Sequence, residues 1–233
     1  AKNWCAPAVI ERDQLTSDLA PQVTVNAHGE AFAIWRQSED GHSRLWVNHC
    51  QRGQGWGVAQ PLETGAAQGL GYPQIGVDAE GNALAVWRQQ GAKGSEIWAA
   101  QCAAGAHWGP SACVGSAQAS AEVFAPQLSV DAAGSARVVW QKSVGNSNGI
   151  YAAAFIKGQG WAAPVLVSSG NVSDASAVQI ATGAGAHSVA VWRQVNEDNT
   201  TVWASRCTPQ GHWGLAQPIG AACGHWSTAP VAG

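Results

Sequence analysis

The sequence contains no methionine, three phenylalanines and two tyrosines, and only 12% of its 233 residues are charged. Without Met there is no initiator, so a chain opening at Ala1 is expected to be a processed or trimmed polypeptide. The formal net charge of -3 and the pI near 6.1 leave no basic surface with which to grip phosphates, which excludes nucleic acid as a partner. No apolar run approaches the roughly 20 residues of a membrane-spanning helix. Cys-x-x-Cys pairs, Gly-x-Ser-x-Gly, His-Glu-x-x-His, phosphate-binding loops and Gly-x-Gly-x-x-Gly are all missing. That removes the common zinc, redox, serine-hydrolase and nucleotide chemistries, and neither a metal nor another cofactor is expected.

What the chain does contain is tryptophan, thirteen of them, with 28 Gly and 10 Pro. Gly and Pro at that density break helices, and no stretch sustains a 3.6-residue apolar period, so an all-β fold is expected. The segment Pro21-Gln-Val-Thr-Val-Asn-Ala-His-Gly-Glu-Ala-Phe-Ala-Ile-Trp-Arg-Gln37 returns as Pro73-Gln-Ile-Gly-Val-Asp-Ala-Glu-Gly-Asn-Ala-Leu-Ala-Val-Trp-Arg-Gln89. It returns more loosely over 126–142 and 178–194, at offsets of 52, 53 and 52 residues. Trp35, Trp87, Trp140 and Trp192 keep this spacing, as do Trp46, Trp98, Tyr151 and Trp203. A third series, Trp4, Trp56, Trp108, Trp161 and Trp213, has five members.

Each repeat reads as four short strands: Gln74 to Val77, Asn82 to Gln89, Glu96 to Cys102, and Trp108 to about Val114 in the second copy. An Asp-Ala-Glu-Gly turn joins the first two strands, with Gly81 free to adopt a positive φ. The second strand is apolar on both sides, which fits a sheet covered on two faces. Proline recurs in the fourth, as Pro7, Pro61, Pro110, Pro164 and Pro218, and since it cannot donate to a ladder this strand is the outer edge. Four-stranded units of about 52 residues build β-propellers. The expected fold is a single propeller domain over 1–233, with repeats at about 21–72, 73–125, 126–177 and 178–229. Residues 1–20 are then a clasp or surplus outer strand. Four blades closing on themselves, or an arc of a larger ring completed by further sequence or another subunit, both fit the out-of-phase ends, and the first is favoured.

The unit Pro-Gln-Ile-x-Val-Asp-x-x-Gly-x-Ala-x-Ala-Val-Trp resembles the repeats of bacterial secreted and periplasmic propellers with TolB-like or Asp-box-like blades; four blades resemble hemopexin in number. The resemblance implies a propeller fold and a secreted, periplasmic or cell-surface location. The Ser-x-Asp-x-Gly order of an Asp-box is absent, so sialidase-type catalytic residues do not carry over.

Six cysteines fit an oxidising compartment, and a bridge from Cys5 to Cys207 or Cys223 would staple the ends; alternatively Cys50, Cys102 and Cys207, at one repeat position, are small buried hydrophobes. Candidate ligand-binding residues are Trp35, Trp46, Trp87, Trp98, Trp192 and Trp203, whose rings would stack on sugars, with Arg36, Arg88 and Arg193 gripping hydroxyls or a carboxylate. The competing assignment for both series is packing between blades. His107 and His212, before the fourth-strand Trp, read as turn residues; the acidic pairs Glu39-Asp40 and Glu197-Asp198 read as solvated loops. The expected function is a non-enzymatic propeller that binds a glycan or extracellular protein through rim loops. A structural subunit of a larger assembly, or a polysaccharide hydrolase or lyase, are the alternatives.

Overall fold

A computed structural model describes residues 9–11, 19–39, 42–62, 68–116, 121–145, 147–168, 174–196 and 199–219. Four antiparallel sheets follow one another along the chain, each a blade whose strands lie in sequence order from inside to outside. Blade one holds β1 (Leu19–Val25), β2 (Ala31–Glu39), β3 (His42–Gln51), β4 (Gly55–Trp56) and β5 (Gln60–Leu62). Blade two holds β6 (Gln68–Val77), β7 (Ala83–Gly91), β8 (Gly94–Cys102) and β9 (Ala112–Ser116). Blade three comprises β10 (Val123–Val130), β11 (Ala136–Val144), β12 (Ser147–Ile156), β13 (Gly160–Trp161) and β14 (Val165–Leu166). Blade four comprises β15 (Asp174–Thr182), β16 (Ser188–Asn196), β17 (Asn199–Cys207) and β18 (Gln217–Ile219). A single 3-10 turn at Ala184–Ala186 is the only helical element among the described residues.

Local chemistry explains the hairpins. The first turn of blades one to three is nucleated by a short polar side chain that captures two backbone N–H groups ahead of it, whereas blade four has Gly183 there and a 3-10 turn. Asn26 Oδ1 accepts from His28 and Glu30, Asp78 Oδ1 from Glu80 and Asn82, and Asp131 Oδ1 from Ala133 and Ser135, all at 2.8–3.0 Å. Gly81 closes its turn at φ +88, as the repeat requires. The outer strand is interrupted after its tryptophan; Pro110 and Pro164 lie in the interruption, whereas Pro61 and Pro218 lie beyond it, opposite Trp46 and Trp203. Trp56 and Trp161 pair with the third strand in β4 and β13, and Trp108 and Trp213 do so as isolated bridges.

The inner strands are longer than the sequence indicates, because each carries a β-bulge just before the repeat's first residue. Register shifts fall between Leu19 and Gln22, Gly71 and Gln74, Phe124 and Gln127, and Ser176 and Gln179. At each bulge a non-glycine residue takes positive φ: Ala20, Tyr72, Ala125 and Ala177. Four repeats of one strained conformation mark it as part of the blade's geometry, where it bends the strand toward the axis.

The core lies between blades. One face of each sheet, its leading face, presents the second-strand tryptophan to the blade before it; the other, trailing face presents aliphatic side chains to the blade after it. Trp87, with Ala83, Ala85 and Ala100, meets Phe32, Ile34, Leu45 and Val47 of blade one. Trp140, with Val138 and Ala153, meets Val86, Ile97 and Ala99. Trp192, with Ala190 and Val178, meets Val139, Ile150 and Ala152. Small residues surround each indole because the sheets must approach closely: a Cβ on Gly115 would lie 2.6 Å from Trp140 Cζ2. Contacts of this kind join blade one to two, two to three and three to four. Four sheets of this kind are consistent with a four-blade propeller, and among the described residues no contact of comparable extent joins four to one.

Cys50, Cys102, Cys113 and Cys207 are free thiols. The expected bridge from Cys5 to Cys207 is therefore corrected: Cys207 points into the interface between blades, where it donates to the Thr208 carbonyl at 3.4 Å. Cys5 and Cys223 lie outside the described residues.

Two outcomes test this packing. Trp87→Ala is expected to cost about 3–5 kcal/mol in chemical denaturation, against less than about 1 kcal/mol for Trp56→Ala on the exposed outer strand. Peptide-mapped alkylation of the native protein should modify exposed Cys113 and leave Cys102 and Cys207 unmodified until unfolding; burial pushes the pKa of all three thiols up, so accessibility makes the difference.

Candidate functional site

The hairpin register places Trp35 opposite Trp46, Trp87 opposite Trp98, and Trp192 opposite Trp203, so the expected adjacency is real. Their exposure is not what stacking on a ligand needs. Trp35, Trp46, Trp87 and Trp192 are buried, and only Trp98 and Trp203 keep part of their surface. The indole N–H of Trp87 is spent on Gln89 Oε1 at 2.9 Å, and that of Trp192 on Gln194 Oε1 at 3.2 Å. In blade three Lys142 stands where the others have Gln, and Trp140 Nε1 has no hydrogen-bond partner. Trp87 and Trp192 are wedges between blades, and Trp35 and Trp46 pack with Ala33, Ala59 and Ile10, so burial leaves these four rings little face for a sugar.

The arginines divide in the same way. Arg36 donates across the interface to the Leu70 carbonyl at 2.9 Å, and Arg88 to the Val123 carbonyl at 2.9 Å. Leu70 and Val123 occupy one repeat position, so these are the same staple used twice. Arg88 also pairs with Glu122 at 2.7 Å, and a hydrogen bond from Ser95, followed by that from Arg88, holds the carboxyl below its ordinary pKa. Arg193 donates to Ser176 Oγ within its own blade.

A cleft of about 410 Å³ opens elsewhere, between the outer strands of blade one and the turn after β8. Its position follows from the Trp-Gly pairs Trp56-Gly57 and Trp108-Gly109 in the outer parts of blades one and two. Gly57 N donates back to the His49 carbonyl and Gly109 N to the Gln101 carbonyl, at 2.9 and 2.7 Å, which lays Trp56 and Trp108 along the third strands of neighbouring blades. A Cβ at Gly57 would sit 3.3 Å from the His49 oxygen, so glycine permits that approach. The floor is Phe32 stacked on His49, centroids 4.1 Å apart, with Val47 and Cys102. Trp56 is 37% exposed and Trp108 half-buried. Asn48, Gln51, Gln54, Gln60 and His107 supply the polar groups, and among the described residues no Asp, Glu, Lys or Arg lines the cleft. The Nε2 of His49 is buried without a partner. Two indoles and several neutral amides around an open trough can stack on and hydrogen-bond to an uncharged sugar. The sequence marks His107 as a turn residue and gives Trp56 and Trp108 no ligand role; the signal for them is a Trp-Gly pair on the strand that proline marks as the exposed edge.

The remaining ionisable cluster is structural. Asp78 accepts from Glu80 N, Asn82 N, Asn82 Nδ2 and, at 3.2 Å, Lys157 Nζ from the next blade, while Lys157 also pairs with Glu80. Burial raises the Asp78 pKa, but the Asn82 hydrogen bonds and the Lys157 ammonium outweigh it and leave the carboxyl below its ordinary value. Among the described residues no group of three or more His, Cys, Asp or Glu could hold a metal ion. Asp40, Glu197 and Asp198 lie outside the described residues.

No family model matches the chain, and no curated protein does. Solved structures match its fold. The alpha-L-arabinanase of Penicillium chrysogenum, complexed with arabinobiose, is similar over 88% of this chain and 67% of its own length, with a TM-score of 0.60 at 11% identity. A polysaccharide lyase, an ulvan lyase, is similar over 85% of this chain and 55% of its own, at 0.59 and 8%. A protein of unknown function from Dyadobacter fermentans is similar over 91% and 72%, at 0.56 and 14%. The chain thus spans about half to three-quarters of the proteins it matches. These likenesses agree with the propeller; the finer TolB-like, Asp-box-like and hemopexin-like resemblances rest on the repeat alone.

The lowered Asp78 pKa fixes a pH dependence. A carboxyl whose folded pKa lies below its unfolded value contributes stability above about pH 4, and that contribution is lost as pH falls through the folded value. Denaturation midpoints of wild type and Asp78→Asn should therefore converge between pH 7 and pH 3; a constant gap would contradict the role given to Asp78.

Proposed function

We propose that the chain is a glycan-engaging propeller whose sugar-binding surface is the cleft between Trp56 and Trp108, and that it acts outside the cytoplasm. The observation that carries this is the lining: two accessible indoles, amides and imidazoles, and no charge, a combination suited to a neutral polysaccharide. Arabinanase and ulvan lyase, with the same fold, act on polysaccharides, and this favours an enzyme over a purely binding module for the protein as a whole. The cleft itself argues for holding rather than hydrolysing. Glycoside hydrolysis uses two carboxyl groups across the scissile bond, and none of the described residues that line it carries one. In this reading the cleft retains the polymer and any cleavage belongs to another part of the surface.

Among the described residues no helix is long and apolar enough to cross a membrane. The four thiols lend no support to a disulfide-forming compartment, so the extracytoplasmic location rests on the glycan reading.

Titrating the protein with arabino-oligosaccharides and other neutral oligosaccharides, followed by tryptophan fluorescence and calorimetry, tests the proposal. Saturable binding that weakens at least tenfold in Trp56→Ala, about 1.4 kcal/mol, is expected, with Trp98→Phe unaffected. Incubation with the same polymers separates the two classes: new reducing ends or unsaturated products identify an enzyme, and binding alone identifies a module. Absence of binding to every neutral glycan tried would overturn the reading.

A further inference from the structure

The interface repeated inside the molecule has two free halves at its ends. The trailing-face position filled by Leu45, Ile97 and Ile150 is 0% exposed in blades one to three, yet its fourth occupant, Val202, is 48% exposed. Leu62, Val114 and Val167 are buried, but Ile219 is 43% exposed; Phe32 and Leu84 are buried, but Val189 is 37% exposed. At the other end, Ile75 and Val77 of β6 are buried against blade one, while the matching Val23 and Val25 of β1 are 69% and 64% exposed. Arg36 and Arg88 each find a carbonyl on the following blade, and Arg193 bonds within its own.

One strand of a following blade is already present. Ile10 precedes Leu62, Val114 and Val167 by the repeat offset, and it packs where they do, against the leading face of the next blade: Ala33, Trp35, Trp46 and Ala59. Its carbonyl accepts from Asn48 Nδ2 at 2.9 Å. Residues 9–11 thus occupy the place of an outer strand in front of blade one, while among the described residues no inner strand lies beside them and Val23 and Val25 stay exposed. A second copy cannot fill that place with its own blade four, because Ile219 and Ile10 would compete for one position.

We propose that the gap between blade four and blade one is the seat of one further three-stranded antiparallel unit of this same repeat. Its leading face covers Val189, Val202 and Ile219, its trailing face covers Val23 and Val25, and it takes residues 9–11 as its outer strand. Five blades then close the ring, and Arg193 gains the carbonyl that Arg36 and Arg88 already have. The occupant is an apolar, tryptophan-bearing β-unit like those in the chain, and the interface is the one used three times within it.

The test extends the 233-residue chain so that a copy of residues 178–207, the inner strands of blade four, follows Ala229 in the repeat's own register. The extended protein should remain monomeric, lose the binding of a hydrophobic dye shown by the parent, and melt on the order of 10 °C higher. Val202→Asp should leave the melting of the 233-residue chain unchanged and abolish the gain in the extended one, which separates seating of the new unit from its mere attachment. The proposal is overturned by an extended chain that aggregates, melts no higher or still binds dye. A 233-residue chain that is itself a dimer without dye binding would equally overturn it, since a second copy would then cover the faces.

Discussion

Each blade is held by one contact, a tryptophan from its second strand pressed between small residues of its own sheet and the aliphatic side chains of the sheet before it. Trp87, Trp140 and Trp192 make this contact in turn, and the strands that carry them are apolar on both faces because each sheet is covered twice. Close approach dictates the alanines and Gly115 around the indoles. The polar ends of Trp87 and Trp192 are answered locally by Gln89 and Gln194, while that of Trp140 is left without a partner. Polar staples sit at the margins of the same interface: Arg36 and Arg88 on carbonyls of the next blade, Lys157 on Asp78, and buried Arg137 on the Pro209 carbonyl at 2.6 Å.

A stack built this way leaves its outer strands free to vary, because they contribute little to the wedge. Blade one and blade two use that freedom to set Trp56 and Trp108 around a neutral trough with glutamine and histidine side chains. The scaffold positions the trough through backbone bonds from Gly57 and Gly109 to the third strands, so the binding surface inherits the rigidity of the sheets beneath it. Rigid presentation of aromatic faces limits the ordering cost of taking up a flexible polysaccharide.

Much of this architecture could be read from the repeat. The four-strand order, the edge position of the proline strand and the positive φ at Gly81 all follow from spacing and from what proline and glycine permit. The side to which the tryptophans point did not follow. In a strand apolar on both faces, alternation separates two buried sides without saying that neither meets solvent, and Trp35, Trp46, Trp87 and Trp192 were open to either assignment. The bulges at Ala20, Tyr72, Ala125 and Ala177 were equally hidden, since alanine and tyrosine give no sign of a left-handed backbone. The cleft escaped notice because it is assembled from two blades, by residues 52 apart whose meeting depends on how the sheets are stacked.

The account depends on where the indoles lie, and fluorine NMR of protein labelled with 5-fluorotryptophan reads that directly. With resonances assigned by single Trp→Phe substitutions, transfer from H2O to D2O should leave Trp87, Trp140 and Trp192 unshifted and move Trp56. Solvent shifts at the three second-strand tryptophans equal to that of Trp56 would contradict the packing of blade on blade.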